Sequence, residues 1–140
     1  MPAENDAHVA GIDLSSLREL AERYAAAWSS HNAAGIAALY SPDGSRSVNG
    51  SEPYVGQIAI AVALQQFMIP FPDLRLTLND VLIVGDGAEV HWTQSGGTGQ
   101  HTSVKGFEEW RMGKDGLIEE SQAHFSMVEL QRQTAKGTTA

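Results

Sequence analysis

An α+β domain, with a curved antiparallel sheet wrapped into a cone over three N-terminal helices, is the fold this sequence predicts. Three observations carry it. Between residues 14 and 68 apolar side chains recur at three- and four-residue steps, the period of amphipathic helices. From residue 73 the pattern changes to Leu-, Val- and Ile-rich runs separated by glycine turns, as in a four-strand meander. The order, helices first and strands after with one short strand among the helices, segregates the two kinds of element.

Residues 1–12 are polar and small and read as a flexible arm, 13–131 as one domain, and 132–140 as a flexible tail. Ser16 stands three residues before Glu19, a capping-box spacing. Leu17, Leu20, Ala21, Tyr24 and Trp28 then share one face of a helix running to about Ser30. His31-Asn32 breaks it, and a short second helix spans Ala33 to Tyr40. Pro42-Asp43-Gly44 is a turn signal, followed by a short strand from Ser45 to Asn49. Gly56 opens a third helix, Gln57 to about Met68, apolar on most faces and so expected to be well buried. Pro70 and Pro72 stop it. Asp73 to Val84 is a long strand with a bulge near Asn79-Asp80. Gly85-Asp86-Gly87 is a hairpin turn into a strand from Ala88 to Ser95. Gly96 to Gly99 is a connector, Thr102 to Met112 the next strand, Gly113 to Gly116 a turn, and Leu117 to about Leu130 the last strand.

Composition narrows the function. The chain has 140 residues, 42% hydrophobic and 19% charged, which fits one globular domain with a single core. Seventeen acids against nine bases give a charge of -8, which repels phosphate backbones and anionic lipid and argues against nucleic-acid and membrane partners. The longest apolar run, Ile58 to Leu64, is too short to cross a bilayer. The polar, acidic start, Met1 to His8, lacks a secretory pattern, so the expected location is cytoplasmic. Without cysteine there are no disulfides, thiolate nucleophiles or Cys-ligated zinc. The five histidines show no metal-ligand spacing, Gly96 to Gly99 lacks the lysine of a phosphate loop, and no G-x-S-x-G is present. Neither a metal nor another cofactor is expected.

Several short motifs fall in a familiar order. They are Tyr24-Ala-Ala-Ala-Trp28 with His31-Asn32, Ala38-Leu39-Tyr40-Ser41-Pro42-Asp43, and Phe71-Pro72-Asp73-Leu74. Val90-His91-Trp92-Thr93 with Gly96, Gly106-Phe107 with Trp110-Arg111, and Asp115-Gly116-Leu117-Ile118 with Glu120 follow, and His124-Phe125 and Arg132-Gln133 close the set. Over roughly residues 14 to 133 the sequence resembles the SnoaL-like polyketide cyclase branch of the ketosteroid-isomerase-like (nuclear transport factor two-like) superfamily. The resemblance implies a cone-shaped barrel holding a small apolar or aromatic ligand, and a homodimer through the outer sheet face. For the cyclases of that branch it implies a carboxylate in the cone that serves an aldol closure without metal or cofactor. The acid of such relatives would fall near Ala123 and Ser126, neither of which is acidic here. Asn49 stands about where relatives use an amide to hold a substrate carbonyl; the other reading is a turn asparagine before Gly50.

Facing can be tested by pairing the last two strands with Met112 opposite Leu117. Trp110 then faces Glu119, Glu108 faces Ser121, Gly106 faces Ala123 and Val104 faces Phe125, and opposite residues share a face. This largely apolar row suits the interior of the cone. Phe107, Glu109, Arg111, Ile118, Glu120 and His124 fall on the outer face. Glu108 is therefore the interior carboxylate, and burial without a cation would raise its pKa toward neutrality, as a proton shuttle requires; alternatively it sits solvated at the mouth. His124 is a second acid/base candidate, or a surface or dimer-interface histidine. Trp28, Tyr40, Tyr54, Trp92 and Trp110 supply aromatic wall for a ligand, Trp28 and Trp110 foremost, although aromatics are core first. Two functions remain open. One is a cofactor-free acid/base isomerase or cyclase acting on a carbonyl compound, and the other a ligand-binding or accessory protein of the same fold.

Overall fold

The computed structural model describes residues 8–9, 12–96, 103–126, 128–129 and 132–133. Two short strands, β1 (His8–Val9) and β2 (Ile12–Asp13), pair with each other before the first helix. The rest of the expected arm, the Gly97–Gly99 part of the connector with His101, and 134–140 of the tail lie outside the described residues. Helix α1 (Leu14–Ser29) starts two residues before the expected cap, because the Asp13 carboxylate, not Ser16, accepts the Ser16 backbone N–H at 2.8 Å. Its buried face is the expected one, with Leu17, Leu20, Ala21, Tyr24 and Trp28 turned to the sheet. Helix α2 (Ala33–Ala37) is shorter than expected.

The difference is taken up by β3 (Tyr40–Val48), which begins where the second helix was expected to end. Pro42-Asp43-Gly44 is not a turn. It is an irregularity inside β3, whose register against the last strand jumps between Tyr40 and Ser45. A turn signal is local, and here the pairing of both flanks with one partner strand overrides it. The chain reverses instead at Asn49-Gly50, both left-handed (φ 51° and 77°), and returns as β4 (Tyr54–Val55). Helix α3 (Gln57–Met68) has the expected ends but not the expected burial. Ile60, Leu64 and Met68 face inward, whereas Ile58 and Val62 are exposed, since the helix lies against the sheet on one side only.

The second half follows the predicted meander: β5 (Arg75–Val84), β6 (Gly87–Ser95), β7 (Ser103–Met112) and β8 (Ile118–Phe125). The bulge expected near Asn79 is present as a register shift between Leu78 and Asp80. Strand β8 stops at Phe125 rather than Leu130, because the Ser126 hydroxyl accepts the Glu129 N–H and starts a helical turn. The six strands lie in the order β4-β3-β8-β7-β6-β5, all antiparallel except β3 beside β8. The helices cover one face of this open, curved sheet, and the core fills the space between.

The β7–β8 register differs from the assumed one in an instructive way. Met112 pairs with Ile118, and Glu119 is then an extra residue on β8, so that Trp110 faces Ser121 and Glu108 faces Ala123. Past the bulge the offset from the assumed pairing is two residues, which preserves the faces. Only the turn-proximal residues exchange sides. Ile118, expected outside, is fully buried, and Glu119, expected inside, is drawn to Arg111 at 3.0 Å.

Candidate functional site

Alternation along each strand sends one set of side chains into the hollow of the sheet. Arg46 arrives from β3, Trp92 and Gln94 from β6, and Glu108 from β7, all buried. Opposite them stand Trp28 of α1 and Leu64 and Phe67 of α3. With Val48, Tyr54, Ala63, Leu76 and Phe125 they enclose a cavity of about 210 Å³. Tyr54 is half exposed. A row of rings runs along the wall from Trp28 to Phe67 (5.9 Å between centroids), Phe67 to Phe125 (6.2 Å) and Phe125 to Trp92 (5.8 Å). Gly106 leaves room for the Trp92 indole against β7, because a Cβ there would meet Trp92 Cη2 at 2.5 Å.

Glu108 is the polar centre of this wall, and donors converge on it. The Tyr24 phenol donates to Oε2 at 2.5 Å, the Trp110 indole N–H to Oε1 at 2.9 Å, and the Arg46 guanidinium pairs with Oε1 at 3.4 Å. Arg46 Nη1 also donates to the Tyr24 oxygen at 2.9 Å and to the Tyr40 oxygen at 3.2 Å, and Tyr40 shares a 2.6 Å hydrogen bond with Ser121. The guanidinium lies 5.7 Å from the Trp28 ring centroid. An acceptor-only carboxylate inside a core needs such a set, because an unpaired buried charge is far more costly than a paired one.

The groups around Glu108 hold their protons. Burial raises the Tyr24 pKa well above the ordinary phenol value; Arg46 opposes this and Glu108 adds to it. Burial likewise raises Tyr40, again against Arg46. For Arg46, burial works against the charge, but Tyr24, Tyr40 and Glu108 outweigh it and the guanidinium is held well above its already high value.

The structure thus brings together only part of the predicted site. Glu108, Trp28, Tyr54 and Trp92 line the cavity. Tyr40 and Trp110 are fully buried one layer behind, where they brace Arg46 and Glu108 instead of the cavity surface. Asn49 is exposed, belongs to the β3–β4 turn and is not among the residues that line the cavity; its side-chain oxygen accepts the Phe125 N–H at 3.0 Å. His124 lies on the outer face, 2.8 Å from Glu109 and stacked on Phe107 at 4.8 Å. The proviso attached to Glu108, burial without a cation, is not met, since Arg46 is its partner. Arg46 and Gln94 were not singled out from the sequence. A signal for Arg46 existed: a charged acid on an apolar face is stabilised by a cation facing it, and Arg46 alternates with Val48 in phase with the inner row. Among the described residues, no group of three or more His, Asp or Glu side chains could hold a metal ion, and no helix is long and apolar enough to cross a membrane.

A curved sheet closed by helices around a cavity with one buried carboxylate defines an α+β protein of the ketosteroid isomerase-like fold. Solved structures share it, among them the following three. A protein from Catenulispora acidiphila DSM 44928, in complex with trimethylamine, superposes with a TM-score of 0.75 at 18% identity, over 84% of this chain and 92% of that one. TsrD from Streptomyces laurentii gives 0.74 at 23% identity, over 88% and 97%. TerC, co-crystallised with polyporic acid, gives 0.73 at 17% identity, over 86% and 98%. No curated protein matches the chain. Residues 21–121 match the SnoaL-like domain, and the chain belongs to that family.

Proposed function

We propose that this protein binds a small, flat, apolar carbonyl compound in the cone and moves a proton on it with Glu108. The observation that carries the reading is a fully buried carboxylate in the wall of a largely apolar cavity. Oε2 accepts from Tyr24 alone among the described residues, so a lone pair remains for a substrate C–H. On a β,γ-unsaturated ketone Glu108 takes a proton from the carbon between the carbonyl and the double bond and returns it to the far alkene carbon, so that the double bond moves into conjugation, which is isomerisation; if the enolate carbon instead attacks a second carbonyl of the same molecule, a ring closes and the proton passes from Glu108 to the new alkoxide oxygen. Trp28 and Trp92 hold the flat body. Tyr24 and Trp110 fix the carboxylate plane and act as positioning residues. Two structural neighbours hold small molecules, trimethylamine and polyporic acid, which supports a ligand-sized cone. Phe107, in the middle of the outer face between His91 and His124, is the proposed centre of a homodimer contact.

The engagement of both Glu108 oxygens, with a cation on one, favours a second reading: the network is a rigid polar floor and the protein only binds. One experiment separates the two. Small cyclic ketones are incubated with the protein in deuterium oxide and exchange beside the carbonyl is followed by mass. Catalysis by Glu108 predicts exchange that falls by about 100-fold or more in Glu108→Gln. Equal exchange by the variant removes Glu108 as the base, and binding without any exchange leaves the second reading.

A further inference from the structure

The Glu108 network leaves one of its members half used. Of its five guanidinium N–H groups, Arg46 spends only the pair on Nη1, which serves the Tyr24, Tyr40 and Glu108 oxygens. The Nε–H and the two N–H groups of Nη2 have no hydrogen-bond partner among the described residues. They are not sealed in. In the described core, the only unpartnered side-chain nitrogens and oxygens closed off from all open space are the indole nitrogens of Trp28 and Trp92. Arg46 is 6% exposed, and the open space that its side chain borders is the cavity. Idle donors on a buried cation are costly unless something accepts from them. The Gln94 amide is idle in the same way and borders the same cavity. It stands four residues along β6 from Val90, the partner of Glu108, which is about 13 Å along the strand. Gln94 therefore meets the far end of an occupant, whereas Arg46 meets the end beside Glu108.

We infer that Arg46 is the oxygen clamp of the cone: its idle Nε–Nη2 edge receives the two oxygens of a 1,3-dicarbonyl compound while Glu108 takes a proton from the carbon between them. The inference deepens the carbonyl-compound reading above and rests on it. The Nε–H and one Nη2–H of a guanidinium are parallel, a fork that matches two oxygens on one side of a planar group. The proton goes to Glu108 Oε2, the C–H electron pair spreads over both oxygens, and the negative charge passes from the carboxylate to the dicarbonyl. Arg46 touches both ends of that transfer, so the site holds one cation and one anion throughout. A carboxylate occupant matches the fork too, but it places a second anion beside Glu108 on a single buried cation, which a core disfavours. A monoketone fills half of the fork. The size agrees: an apolar cavity of roughly 150 Å³ takes one benzene ring, so 210 Å³ suits a phenyl ring with a short chain.

The test uses four probes of similar shape: 1-phenylbutane-1,3-dione, 4-phenylbutan-2-one, butylbenzene and 4-phenylbutanoate. The unmodified protein should bind the dione about tenfold or more tighter than butylbenzene, with the monoketone between them and 4-phenylbutanoate weaker than the dione. Glu108→Gln should bind 4-phenylbutanoate about tenfold or more tighter than the unmodified protein does, because Arg46 has then lost its anion. Arg46→Lys keeps the charge and loses the fork, so it should bring the dione within about threefold of the monoketone and change butylbenzene less than about twofold. If Arg46→Lys does not fold, the Arg46 Nε–H resonance of the nitrogen-15-labelled unmodified protein decides: the dione moves it downfield and butylbenzene does not. Equal affinity for the dione and either neutral probe, tighter binding of 4-phenylbutanoate than of the dione by the unmodified protein, or an Nε–H resonance indifferent to the dione overturns the inference and leaves the apolar-cavity reading intact. Deuterium exchange that survives Glu108→Gln removes the base, while the clamp stands or falls on the binding order. Binding of none of the four probes overturns both.

Discussion

Glu108 and Glu109 are consecutive on β7, yet the first side chain is 1% exposed and the second 55%. Glu108 meets Tyr24, Arg46 and Trp110 from three different elements. Glu109 meets one half-exposed histidine, His124, on the neighbouring strand. The pleat alone separates them. On the inner face a charge persists only inside a closed set of donors, so the surroundings must be built to fit it. On the outer face water does that work, and His91, Phe107 and His124 stack in a row between glutamates Glu89 and Glu109 without a rigid network. The same residue type is enclosed by donors on one side of the sheet and meets solvent on the other.

The widest expected gap between the faces concerns their arginines. Arg46→Met leaves Glu108 buried without a cation and is expected to cost about 3–5 kcal/mol in urea unfolding. Arg111→Met, which breaks the exposed contacts to Glu119 and Glu120, is expected to cost at most about 1 kcal/mol. The double variant Arg46→Met, Glu108→Leu should recover much of the loss, because it removes both buried charges. Equal costs for the two arginines would break the comparison.

Next in size is the loss of a single donor. Trp110→Phe removes the indole hydrogen bond to Glu108 while keeping the ring contact with Tyr24, and is expected to cost about 1.5–3 kcal/mol. Phe107→Leu on the outer face removes only stacking and should cost about 1 kcal/mol or less. Thermal unfolding of both variants measures the difference.

The same contrast explains which parts of the molecule were legible in the sequence. The meander, the Asn79 bulge and the buried face of α1 were readable because glycine turns and residue spacing are local properties. The inward facing of Glu108 and Trp110 was readable because alternation along β7 survives a two-residue error in pairing. The Pro42-Asp43-Gly44 irregularity was not, because β3 is held by parallel pairing to β8, about seventy-five residues away in sequence. Burial of α3 was overread, since an apolar composition does not say how many sides of a helix are covered. Within the site, each member of the Glu108 network was visible as a residue type, but the meeting of Tyr24, Arg46 and Trp110 on one carboxylate is a product of tertiary structure. At Asn49 the local reading of Asn-Gly as a turn is met, because both residues are left-handed.

Alkaline pH probes the inner face through its two buried phenols. The raised pKa values of Tyr24 and Tyr40 mean that above about pH 10.0 the unfolded chain releases phenolic protons that the folded protein keeps. Their contribution to stability is therefore complete below that pH and is lost as the pH rises through the folded values. The loss is at most about 1.4 kcal/mol per phenol per pH unit. Tyr24→Phe and Tyr40→Phe should each make the alkaline decline shallower, measured by denaturation at a series of pH values. A decline unchanged in both variants would mean that neither phenol resists ionisation.

The smallest expected effect is the most discriminating for the outer face. In dilute protein, Glu109→Gln should change stability by no more than about 0.5 kcal/mol, and raised salt should remove what remains. If two copies meet over Phe107, the dimer stabilises the folded state by mass action, and a residue inside that contact gains importance with concentration. The cost of Glu109→Gln is therefore expected to grow as protein concentration rises through the association range, alongside a shift in sedimentation from one copy to two. A small cost that stays flat across that range, with sedimentation as a single copy throughout, would remove the proposed dimer contact and leave the outer face as water-facing surface.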